Sequence, residues 1–96
     1  MELAVPMTSI STSGTFQLKD KAGYIQSIFC SNQGTSWTLQ IFDGPDQFGN
    51  TKALLGGTKP FSISTGGFTF GVPMYCTFGI QVITSGTSGE IDIEWN

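Results

Sequence analysis

Three acids alternate with apolar residues in GEIDIEWN: Glu90, Asp92 and Glu94 against Ile91, Ile93 and Trp95. Carboxylates held this close can pass protons to and from a substrate, cleave a glycosidic bond as a pair, or ligate a hard cation. A second set of oxygen donors, Asp43, Asp46 and Asn50, lies in DGPDQFGN. Cys30 and Cys76 add two thiols that could serve as nucleophiles or metal ligands.

What surrounds these groups limits their chemistry. The chain has no histidine and no arginine. A Ser-His-Asp or Cys-His pair, an imidazole metal ligand and a bidentate guanidinium clamp are therefore excluded. GxGxxG, a P-loop and HExxH are also missing from the sequence. Glycoside hydrolysis needs only two carboxylates, but it usually needs a long cleft as well. In a strand the three acids would stand about 7 Å apart on one face, with Ile91, Ile93 and Trp95 turned into the core. Such a row reads first as the wet side of a strand and second as a contact surface. DGPDQFGN departs from the EF-hand pattern and reads as a turn, with Asp43 capping its own turn and Pro45 fixing φ. Without CxxC, the cysteines read as reduced, buried small hydrophobes. A disulfide would need their two strands to face each other across a sandwich. The expectation is a non-enzyme with no cofactor and no metal.

At 96 residues the chain is one domain, able to bury roughly 65% of its unfolded surface. Only 11% of residues are charged and the net charge is −3. Lys19, Lys21, Lys52 and Lys59 are scattered on an acidic background, which argues against nucleic acid. No apolar run reaches the length of a membrane span. MELAVPMTSIS shows neither the basic nor the apolar region of a signal peptide, so assembly in a cytoplasm is expected. A surface so poor in charge invites association.

Period-two alternation dominates the elements that must carry these residues. SWTLQIFD places Trp37, Leu39 and Ile41 on one face, and CTFGIQVI does the same for Cys76, Phe78, Ile80 and Val82. GFTFGV groups Phe68, Phe70 and Val72. GYIQSIFCS is apolar on both faces, as in a central strand, and GTFQL, TKALL and PFSIS are shorter candidates. Turn signals recur every ~8–12 residues. The pattern predicts an all-β chain, a single antiparallel β-sandwich or jelly roll of about seven or eight short strands over residues 14–96.

Residues 1–13 form an extended segment ahead of it. Leu3, Val5 and Met7 alternate there, and Pro6 rules out a central strand. The segment reads either as an edge strand or terminus of the same domain, or as an arm that augments a neighbouring subunit. On the arm reading, deleting residues 1–10 leaves the sandwich folded. Phe48, inside a polar turn, and Tyr75, after Pro73-Met74, are loop aromatics. They suit sugar stacking, a protein contact, or plugging the ends of the sandwich.

The Ser/Thr/Gly-rich pattern, the passage LQIFDGPDQFGNTKALL and the glycine-punctuated STGGFTFGVPMYCTFGIQVITSGTSGEIDIEW together carry a resemblance. Over residues 16 to 96 the chain resembles the small β-sandwich virion proteins of tailed bacteriophages, above all capsid decoration or cement proteins. The resemblance implies a non-enzymatic subunit on the outer capsid surface, often a trimer, that clamps neighbouring major capsid proteins. It transfers no catalytic residue. Leu3, Val5, Met7, Phe48, Tyr75, Glu90, Asp92 and Glu94 are the interface candidates. A neck, tail or fibre protein and a carbohydrate-binding module are the alternatives.

Overall fold

Runs of β-branched and aromatic residues broken by glycine and polar turns become strands, because such side chains pack well on a pleated surface. The computed structural model describes residues 7–32, 34–55, 61–62, 66–87 and 89–96. The described residues form nine strands: β1 (Met7–Ile10), β2 (Gly14–Lys19), β3 (Gly23–Asn32), β4 (Thr35–Asp43), β5 (Lys52–Leu55), β6 (Phe61–Ser62), β7 (Gly66–Cys76), β8 (Ile80–Thr87) and β9 (Glu90–Trp95). The first sheet has the order β1-β9-β3-β7. The second has the order β2-β8-β4-β5, with the short β6 also on β4. Every pairing is antiparallel.

The pairings nest. β1 binds β9, β2 binds β8, β3 binds β7, and β4 binds β5 and β6. The chain is thus one long hairpin wrapped over itself, with the early and late strands crossing between sheets together. That strand order is the jelly roll.

The core lies between the sheets. Ile25, Ile28, Cys30, Ile91 and Ile93 project into it from the first sheet, and Trp37, Leu39, Ile41, Ile80 and Val82 from the second. Each fully buried aliphatic or aromatic side chain contributes about 1.5–3 kcal/mol relative to exposure. The alternations in SWTLQIFD and GEIDIEWN therefore emerge as read, with Trp95 partly buried against the core.

Two other readings change. GYIQSIFCS does form a central strand, flanked by β9 and β7. However, a bulge between Ile25 and Ser27 shifts its phase. The extra residue lets Ile25 and Ile28 both point inward, and it turns Phe29 outward, where it is 51% exposed. CTFGIQVI is two strands: β7 stops at Cys76, and a turn over 77–79 carries the chain into β8 in the other sheet. Phe78 accordingly lies on that turn and is exposed, while Cys76, Ile80 and Val82 are buried.

The cysteines are as read. They are free and buried in adjacent strands of one sheet, where Cys76 pairs with Gly23 and Cys30 with Gly66. Seven positions of β3 separate Gly23 from Cys30, roughly 20 Å. A disulfide spans Cα atoms no more than about 7 Å apart, so these thiols cannot join in this fold.

Met7–Ile10 is an edge strand of the first sheet. Ile10 belongs to the core, and Trp95 Nε1 donates to Thr8 Oγ1 at 2.9 Å. From Met7 onward the N-terminal segment is thus an edge strand of the packed domain, one of the two readings the sequence offers. Leu3 and Val5 lie outside the described residues.

Candidate functional site

Side chains that do not enter the core of the first sheet stand on its outer face, and register groups them into rows. Asp92 sits between Ser9 on β1 and Phe29 on β3. The Ser9 hydroxyl donates to Asp92 Oδ1. Glu94 sits between Met7 and Ser27. At the end of the sheet, Tyr24 pairs with Tyr75, and backbone hydrogen bonds of 2.8 Å in both directions tie Tyr24 to Asn96. Glu90, on the same parity of β9, is exposed opposite Asn32.

The result is one face with a distinctive makeup. Glu90, Asp92 and Glu94 run down its middle strand, and none of β1, β3, β7 and β9 contains a lysine. Around the acids stand Met7 and Tyr75, each 60% exposed, together with Phe29. Of the interface candidates, the fold therefore brings Met7, Tyr75, Glu90, Asp92 and Glu94 together. Phe48 is on none of these strands and lies in the loop between β4 and β5. Phe29 and Tyr24 were not anticipated. No local signal marks the bulge that turns Phe29 outward, since its backbone cause lies in the pairing with two neighbours.

The geometry limits what this row can do. Among the described residues no group of three or more histidine, cysteine or acidic side chains is placed to hold a metal. The spacing would fit an inverting glycosidase, but that chemistry needs one acid shielded in a cleft. Here the row lies on an open sheet face. What such a face offers is charge and apolar contact.

Compared with models of known protein families and with curated proteins, the sequence matches none.

A second cluster of polar groups gathers at the end of the sandwich where β4 runs into β5 and β7 turns into β8. Asp43 is buried there, and its carboxylate caps a turn distant in sequence rather than its own. Oδ2 accepts from the Thr77 N–H at 2.8 Å, and Oδ1 from those of Phe78 at 2.8 Å and Gly79 at 3.4 Å. Asp46 does cap its own loop: Oδ1 accepts from Phe48 N–H at 2.8 Å and Asn50 N–H at 2.9 Å. The Gln17 amide nitrogen lies 2.7, 2.8 and 3.2 Å from the carbonyls of Lys19, Gly44 and Ile80, and so clamps both loops to β2. Gly44 N–H donates to the Gly79 carbonyl at 3.0 Å. Between the two loops is a hollow of about 300 Å³, lined by Asp46, Asn50, Thr51, Lys52, Thr77 and Phe78 beside the buried Asp43.

Neither cysteine is a reactive centre. Burial pushes the Cys76 thiol up to about 11, with the nearby Asp43 charge adding to the effect. Cys30 is raised as well, chiefly by burial and also by Asp92, against a backbone hydrogen bond at Asn32 that lowers it. Thiols so shifted carry little thiolate at neutral pH.

Proposed function

We propose that this chain is a non-enzymatic virion subunit of the capsid decoration type, docking through the outer face of its β1-β9-β3-β7 sheet. The observation that carries the reading is the makeup of that face: three carboxylates without a basic residue in any of its strands, bordered by exposed Met7, Phe29 and Tyr75. Large exposed apolar side chains grouped on one face mark interaction surfaces, and aromatic and methionine side chains are enriched in protein contacts. A second copy of the same face would set carboxylates against carboxylates, so the complementary partner is basic and different. On this proposal the partner is the major capsid protein, and copies of the chain associate with one another, as a trimer, through other surfaces.

The jelly roll recurs in both viral capsid and lectin domains, so the fold is compatible with the reading and does not by itself select it. The work required is mass action. A subunit that binds only the assembled shell stabilises that shell by its binding free energy. Expanded shells lacking the protein provide the test. Mixed with the purified chain and pelleted, they should carry it down to a fixed stoichiometry, and less of it as salt rises, because exposed charges are screened. Binding to isolated tails or fibres with none to shells would move the subunit elsewhere in the virion.

A further inference from the structure

The hollow between the β4–β5 loop and the β7–β8 turn has no part in that docking face, and its construction is that of a binding site. Its walls are pre-organised. The Asp43 carboxylate is spent on backbone N–H groups of the turn, Gly44 N–H binds the Gly79 carbonyl, and the Asp46–Asn50 loop is closed by the Asp46 N–H to the Asn50 carbonyl at 2.9 Å. Fixing a site before a ligand arrives lowers the entropic cost of binding. A volume of about 300 Å³ is at the small end of ligand pockets.

The groups left for a ligand are specific in kind. Asp46 commits Oδ1 to its loop, while Oδ2, the Asn50 side-chain amide and the Lys52 amine make no hydrogen bond among the described residues. One free carboxylate oxygen, one amide and one amine supply acceptors and donors together; the Asp43 carboxylate beside them is turned to the N–H groups of the turn, which leaves the charges of Asp46 and Lys52 to face a ligand. An anion or a cation would meet an opposing charge here, whereas a neutral polyhydroxylated molecule can satisfy all three groups. Phe78, a residue 51% exposed, lines the same hollow on a turn that the Asp43 carboxylate caps. An aromatic ring so placed provides the apolar platform that the C–H face of a sugar ring packs against.

We infer that this hollow is a binding site for a neutral saccharide, with Phe78 stacking on the ring and Asp46, Asn50 and Lys52 hydrogen-bonding its hydroxyls. The inference is independent of the docking face, and either can fail alone. The probes are methyl α-glucoside, methyl α-galactoside, methyl α-mannoside and N-acetylglucosamine, each titrated into the ¹⁵N-labelled full chain and followed by amide chemical shift. At least one should give saturable shifts confined to residues 46–52 and 77–79. Phe78→Ala and Asn50→Ala, both at exposed positions, should each weaken that binding at least about tenfold while the remaining amide spectrum stays folded. Absence of saturable shifts with all four sugars would overturn the inference, as would shifts elsewhere or binding unchanged in both variants.

Discussion

Asp43 shows how a residue of ordinary type takes on an unexpected task. Next to Gly44 and Pro45 it has the look of a turn former, and it is one, but the turn it caps starts 34 residues later. Local sequence reveals the chemistry of a carboxylate and not the address of the N–H groups it will meet. Removing it leaves backbone donors buried without an acceptor, so Asp43→Ala should cost about 3 kcal/mol. Urea denaturation would show this as a lower midpoint at unchanged slope. Cys76 supports a pH prediction. Its thiol is raised to about 11 when folded, against about 8.5 in an unfolded chain. The folded state thus holds the proton more tightly, and its stability is complete below the unfolded value. Stability should fall between about pH 9 and pH 11, as the unfolded chain ionises first. Cys76→Ala should flatten that slope in chemical denaturation series run across this range. Equal slopes in both proteins would contradict the assignment.

At the level of strands, alternation was readable wherever pairing stayed regular. SWTLQIFD and GEIDIEWN sort their buried residues as period two requires, and the shift of β4 against β8 falls at the start of the strand, between Thr35 and Thr38. The errors fall where a tertiary contact breaks the period: at the β3 bulge, which exposes Phe29, and at the turn over 77–79, which ends β7 early. Gly79 marks that second break. A Cβ there would come within 2.8 Å of the carbonyl oxygens of Gly44 and Lys19 and 2.9 Å of Gln17 Nε2. Gly79→Ala must push two backbone segments apart, and it should destabilise the fold by about 1–3 kcal/mol. Strand β1 supports a similar argument. It carries core residue Ile10 and the acceptor for Trp95, so deleting residues 1–10 should lower the melting temperature by about 10 °C or more. A truncated chain melting like the full one would restore the dispensable-arm reading.

For the molecule as a whole, the class of fold was visible in composition and turn spacing, while its strand order was not. Nesting β1 on β9 and β2 on β8 joins residues such as Met7 and Glu94, and no local pattern encodes a contact that distant. Such long-range pairing also predicts folding on the millisecond-to-second scale, measurable by stopped-flow fluorescence of Trp37 and Trp95. The same wrapping decides the electrostatics. It places β9 between β1 and β3, so the acidic row stands on an interior strand of the sheet, with neighbours on both sides. The neighbouring strands add methionine, phenylalanine and tyrosine to it, and no lysine.

That face is the centre of the functional proposal, and reversing its charge tests the proposal most directly. Wild type and the triple variant Glu90→Lys, Asp92→Lys, Glu94→Lys would be co-sedimented with expanded capsid shells lacking the protein, after circular dichroism has shown both to be folded. The account predicts saturable binding of the wild type and a loss of affinity of about tenfold or more in the variant. A variant that binds the shells as tightly as the wild type would contradict it.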